Sequence, residues 1–172
     1  KAAAFNRAGS EAEVVLAFEA AVEDWCKGTE RLLSESDANR HEGDEAGPET
    51  ELEYWRTRMA KFNSITEQLK GRDCKVVLGV LAASKSRVLK RWKLLDNSIT
   101  DANNEAKDNV KYLSTLEKYI EPLATGTPHT ILDALPGLMN NIKMMHTIAR
   151  YYNTTERMTT LFKKITNKMI HN

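Results

Sequence analysis

The stretch from Glu51 to Leu69 restricts this chain more than any other. Leu52, Trp55, Met59, Phe62, Thr66 and Leu69 follow one another at alternating steps of three and four residues, and Ile65 widens the stripe on one side. That spacing predicts an amphipathic helix. A face built from Trp, Met, Phe and Leu buries a large apolar area. At roughly 25 cal/mol per Å2 it cannot stay in water without other helices against it. Thr50 with Glu53 has the pattern of a capping box, and Gly71 stands where a helix-ending glycine belongs.

The rest of the chain keeps the same period. Ser10 with Glu13 suggests a second helix start, followed by Val14, Phe18, Val22, Trp25 and Leu32, with a weak turn at Lys27-Gly28-Thr29. Ser36 to Glu49 is polar and acidic and has no apolar side chain larger than alanine, so it reads as a mobile loop dispensable for folding. After a new start at Asp73, Val77, Val80, Leu81, Ser84, Val88, Trp92, Leu95 and Ile99 line one helix running to about Thr100. Asn103-Asn104 is a break or a polar interruption. Beyond it Ala106, Val110, Leu113, Leu116 and Ile120 carry the stripe to Pro122, which ends it. Thr125-Gly126-Thr127-Pro128 is a connector.

Ile131, Leu132 and Leu135 then suggest a short helix interrupted at Pro136-Gly137, and Leu138, Ile142, Met145 and Ile148 lead on to Tyr151-Tyr152. Asn153 with Glu156 resembles another cap before Met158, Leu161, Ile165 and Met169. No stretch has a strand pattern. The expected fold is all-α, an elongated bundle of five or six helices, divided as an N-terminal helix over 1–35, an acidic flexible loop over 36–49 and a helical bundle over 50–172.

With 172 residues the chain can bury a sizeable core, and 41% hydrophobic against 28% charged residues is too apolar for disorder. A net charge of +1 gives no pull towards nucleic acid or an anionic membrane. No apolar run approaches the ~20 residues that span a bilayer. Cys26 and Cys74 lack Cys-x-x-Cys spacing and read as buried free thiols, with a lone long-range disulfide as the alternative. The chain starts at Lys1 without a methionine and stops within an apolar pattern, as a piece of something larger would.

No catalytic, cofactor-binding or metal-binding residue emerges. His41, His129, His146 and His171 never pair at helical spacing, and the glycines form neither a phosphate loop nor a dinucleotide fingerprint. One basic cluster stands out, Lys85, Arg87, Lys90, Arg91 and Lys93 around Trp92. It suits an acidic partner surface, or simply the wet side of an amphipathic helix. The candidates for helix packing or an interface are Trp25, Leu52, Trp55, Met59, Phe62, Ile65, Leu69, Trp92, Leu95, Tyr151 and Tyr152. Asn153-Thr154-Thr155 matches a glycosylation acceptor but fits a helix cap better.

Several words in the chain carry a family resemblance. Glu53-Tyr54-Trp55-x-x-Arg58, Phe62-Asn63-Ser64-Ile65, Glu67-Gln68-Leu69, Trp92-x-x-Leu95, Asp108-Asn109-Val110-Lys111-Tyr112-Leu113, Leu135-Pro136-x-Leu138 and Arg150-Tyr151-Tyr152-Asn153 occur in the order found in the N-terminal tail of dynein heavy chains. The wording is closer to axonemal than to cytoplasmic chains, with the outer-arm type favoured. It covers the chain from near Leu52 to the end.

The resemblance implies a non-catalytic scaffold segment in the cytoplasm, at the axonemal cytoskeleton of a cilium or flagellum. Its implied partners are other dynein heavy chains, intermediate and light chains, a docking complex and the doublet microtubule. ATP and Mg would belong to the motor region of the parent chain, with no cofactor in this segment. The competing classes are an autonomous α-helical adaptor and an enzyme whose site has no readable motif.

Overall fold

The structure is a computed structural model that describes residues 2–38 and 47–170, with side chains from Glu11 onward. Among the described residues there are six helices and no strand: α1 (Ala2–Ala38), α2 (Pro48–Leu69), α3 (Arg72–Ala83), α4 (Val88–Thr125), α5 (Pro128–Ile148) and α6 (Thr155–Ile170). The all-α expectation holds.

Helix boundaries depart from the sequence pattern in ways that local chemistry explains. Ser10 lies inside α1, not at its start, because the alanine-rich residues before it already continue the helix. Gly28 does not break α1 either, since a single exposed glycine costs only about 1 kcal/mol in a helix. The helix continues through Ser36 to Ala38, and the middle of the expected acidic loop, 39–46, lies outside the described residues. α2 opens on Pro48, whose missing N–H is no loss in a first turn. Thr50 is therefore already helical, its N–H bonded to the Gly47 carbonyl at 3.2 Å, and the Thr50–Glu53 box does not form the boundary. Gly71 precedes α3 in extended backbone (φ −57, ψ 159) and serves as its N-cap instead of a left-handed end to α2.

The single helix expected from Asp73 to about Thr100 is two. α3 ends at Ser84, and Lys85 takes a left-handed backbone (φ 56). The Lys85 N–H bonds the Ala82 carbonyl at 3.1 Å, and the Ser86 N–H reaches back to Leu81 at 3.0 Å. This is the paired closure of a Schellman motif, with lysine where glycine is usual. α4 then runs 38 residues, straight through Asn103-Asn104 and Pro122. Pro122 falls in the last turn, where only one intrahelical bond is forgone, and the Gly126 N–H still closes on the Pro122 carbonyl at 2.9 Å.

α5 likewise passes through Pro136 and Gly137 without interruption. Pro136 sits on the exposed side, where water can take the carbonyl it leaves free. Its N-cap is Thr127, whose hydroxyl accepts the Thr130 N–H at 3.4 Å, so the connector shrinks to Gly126-Thr127. A Cβ at Gly126 would run into the Pro122 carbonyl, which is why glycine stands there. α6 starts at Thr155, two residues after the cap expected at Asn153.

The chain divides into two compact units, each assembled from two chain segments. Unit 1 comprises α1, α2 from Lys61, α3 and α4 as far as Ala102; unit 2 comprises α2 up to Ala60, α4 from Asn103, α5 and α6. The division thus cuts across the continuous 50–172 bundle expected from sequence, because α2 and α4 each contribute to both. In unit 1, Val22, Cys26, Leu81 and Trp92 form a buried cluster, with Phe18, Trp25, Leu69, Val77 and Leu95 packed against it. In unit 2 the core is larger: Leu52, Trp55, Leu113, Leu116, Leu138, Met145, Tyr152 and Leu161 lie at its centre.

Candidate functional site

Unit 2 contains a buried charged constellation that links distant parts of the sequence. Lys164 projects from α6 between Leu161 and Ile165, on the apolar stripe itself, and is only 2% exposed. Its ammonium donates to Glu51 Oε2 at 2.8 Å. The other oxygen of Glu51 accepts the Tyr152 hydroxyl at 2.6 Å, and that hydroxyl accepts the Trp55 indole N–H at 2.8 Å. Glu51 is 15% exposed, so the carboxylate is largely withdrawn from water. Such a pair persists where each charge meets a full set of partners, since an uncompensated buried charge costs several kcal/mol. Burial, then the Glu51 carboxylate, hold the Tyr152 phenol protonated well above its ordinary value.

The same unit has an aromatic chain around this network. Tyr54, Trp55, Tyr151 and Tyr152 meet edge to face in sequence, with centroids 5.0, 4.9 and 4.8 Å apart. Arg157 stacks over Tyr151 at 4.2 Å. Nearer the start of α2, Glu49 pairs with Lys168 at 2.6 Å. Burial pushes the Glu49 carboxyl up, but the Lys168 hydrogen bond and its own backbone outweigh that and leave it below the usual carboxylate value. A cavity of about 580 Å3 lies beside them, floored by Leu52, Leu113, Leu116 and Ile120, with Glu117 and Glu121 among its lining. Glu117 is already paired with Arg56 at 3.5 Å.

In unit 1 the polar counterpart is Arg91. Its guanidinium spans α1, bonding Glu23 at 2.6 Å and Glu30 at 2.8 Å, and Ser86 bonds Glu19 one turn earlier. Beneath lies the Cys26 thiol, fully buried and pushed up by desolvation and by Glu23 and Glu30, against the opposing pull of Arg91. Trp25 and Trp92 meet edge to face at 5.8 Å. Both cysteines are free, but only Cys26 is buried; Cys74, expected to be buried too, is half-buried.

The sequence-derived candidates are thus distributed over two cores. Leu52, Trp55, Met59, Tyr151 and Tyr152 meet in unit 2. Trp25, Leu69, Trp92 and Leu95 meet in unit 1, where Phe62 is also buried and Ile65 half-buried. The basic residues do not form one helical stripe. Lys85 and Arg87 belong to the α3–α4 turn, Arg91 is drawn onto α1, and Lys90 and Lys93 stand exposed at the start of α4. His129 pairs with Asp133 on the surface of α5, and His146 is exposed; His41 and His171 lie outside the described residues.

Sequence reasoning missed Glu51 and Lys164. The available signal was a lysine at a stripe position, three residues after Leu161 and one before Ile165, with no acid near it in sequence.

Among the described residues no group of three or more His, Cys, Asp or Glu could hold a metal ion, and no helix is long and apolar enough to cross a membrane. What the arrangement offers is apolar packing tied together by buried polar contacts. Residues 15–172 match the family model described as dynein heavy chain, N-terminal region 1. The chain belongs to the dynein heavy chain family.

Among its relatives, the dynein gamma chain of the flagellar outer arm of Chlamydomonas reinhardtii is 49% identical over 98% of this chain and 4% of its own length. Dynein axonemal heavy chain 5 of Rattus norvegicus is 51% identical over 94% of the chain and 5% of its own. Dynein axonemal heavy chain 8 of Mus musculus is 48% identical over 95% and 3%. This dynein segment is therefore of the axonemal, outer-arm type and lies in the tail, the non-motor part of the heavy chain. It spans only a few per cent of the length of these relatives. The family match begins at Val15, well before Leu52, so most of α1 belongs to the same region.

Proposed function

We propose that this segment is a non-catalytic scaffold within the tail of an axonemal dynein heavy chain, joining heavy chains and holding associated subunits for docking on the doublet microtubule of a cilium or flagellum. The observation that carries the reading is the match of the N-terminal heavy-chain region over residues 15–172, by a chain that consists of packed helices. Long helices suit the task. A helix as long as α4, at 38 residues, spans about 57 Å at 1.5 Å per residue and passes load along its axis through its own backbone bonds. Helical faces also bind by laying one helix into a groove between others.

The segment needs no nucleotide for this role, and ATP with its Mg is the business of the motor region. Exposed Leu132, Met139, Met144 and Ile148 on α5 and Leu94 on α4 supply apolar contact area, while Lys90 and Lys93 supply charge at a rim.

The test is recovery of dynein subunits. The 172-residue chain, immobilised and exposed to axonemal extract, is expected to retain heavy or intermediate chains identified by antibody. A Lys90→Glu/Lys93→Glu variant is expected to retain them with a lower salt tolerance. Recovery of no dynein subunit by the parent chain overturns the scaffold reading. Titration calorimetry with Mg-ATP is expected to show no binding, and saturable heat would overturn the assignment of nucleotide chemistry to the motor alone.

A further inference from the structure

The apolar stripe of α6 is nearly indifferent to its own register. Met158, Leu161, Ile165 and Met169 recur at steps of three and four, so a slide by one turn replaces all but the end member of the stripe with another apolar residue of similar size. Burial of this stripe alone therefore selects the face of α6 but only weakly selects its position along α2.

The buried polar groups do discriminate. Tyr152 lies before α6 and Lys164 within it, twelve residues apart, and they occupy the two oxygens of one carboxylate, Glu51. If α6 slides one turn so that Lys168 reaches Glu51, Lys168 gives up Glu49, and the Tyr152 hydroxyl is carried away from Glu51 and Trp55. If it slides the other way, Thr160 faces Glu51 and a largely buried carboxylate loses its ammonium. Each slide leaves a buried donor or charge unmatched.

We propose that Tyr152 and Lys164, clamped on the two oxygens of Glu51, are a register lock that selects one of the positions the α6 stripe would accept. The lock goes beyond the scaffold role proposed above and does not depend on any partner. Its contribution is to uniqueness more than to stability, because an ion pair withdrawn from water repays little beyond its own desolvation.

The test replaces both charges together, so that neither is left buried alone. In the 172-residue chain with Cys74→Ser, spin labels are placed at Glu53→Cys on α2 and Thr159→Cys on α6, both exposed positions in unit 2. The parent background is expected to give one narrow interlabel distance. Glu51→Leu/Lys164→Met is expected to keep its helix content and a melting temperature close to the parent. Its distance distribution is expected to gain a second component displaced by about 5 Å, one helical turn. A single unchanged distance would show that the remaining α2–α6 contacts, the Glu49–Lys168 pair and the apolar packing, set the register without Glu51, and would overturn the lock. Loss of cooperative unfolding in the double variant would also overturn it, because the pair would then be a support of stability and not a selector.

Discussion

Lys85 holds a left-handed backbone that glycine adopts without steric cost. Relief of about 1–2 kcal/mol of Cβ crowding exceeds the roughly 0.5–1 kcal/mol of extra unfolded-state entropy that glycine brings. Lys85→Gly is therefore expected to raise stability by about 0.5–1 kcal/mol, read as a higher urea midpoint at constant slope. At the opposite extreme stands Trp55, fully buried and bonded to Tyr152. Trp55→Ala is expected to cost ~3–5 kcal/mol, and an unchanged denaturation midpoint would contradict its place in the core. Cys26 and Cys74 look alike in sequence but differ in the fold. Cys26 is sealed and its thiolate disfavoured, so a thiol reagent is expected to label Cys74 first and to reach Cys26 only in denaturant. Trp55, Leu52 and Phe62 were legible as packing residues because helical spacing gathers them on one face. Glu51 and Lys164 were not, since their partnership spans the fold and leaves no periodic trace.

At the scale of elements, the glycines separate propensity from packing. A Cβ at Gly28 in α1 would meet nothing within 4 Å. Gly28→Ala is expected to stabilise by about 0.5–1 kcal/mol through helix propensity alone. A Cβ at Gly137 in α5 would lie 2.5 Å from the Tyr119 ring of α4. There the same propensity gain opposes an overpacking cost of about 1–3 kcal/mol, and Gly137→Ala is expected to lower the melting temperature. A rise equal to that of Gly28→Ala would mean that the Tyr119 ring swings aside freely. The same contrast explains the misjudged boundaries. Pro122, Pro136 and Gly137 are strong breakers as isolated signals, yet one lies in a last turn, one on a wet face and one beneath an aromatic ring. The Lys85 break was invisible for the opposite reason, because it carries neither glycine nor proline.

For the molecule as a whole, the raised Tyr152 pKa sets an alkaline limit. Folded chains keep a proton that unfolded chains release, so the stability it represents is full below about pH 10 and is lost as pH rises through and beyond that value. Urea midpoints are expected to fall between about pH 8 and about pH 11, and Tyr152→Phe, though weaker at neutral pH, is expected to show a shallower fall. Equal slopes would remove Tyr152 from the alkaline transition. The sequence by itself determined the helical class, the faces that pack and the membership in the dynein tail, because periodicity and family wording are local properties of a chain. Only the tertiary structure decided that α2 and α4 each serve two units, that the basic run is divided between a turn and an α1 contact, and that one glutamate gathers Tyr152 and Lys164. These depend on which surfaces meet, and residues 101 and 113 positions apart in the chain come into contact only through the cooperative burial of the whole fold.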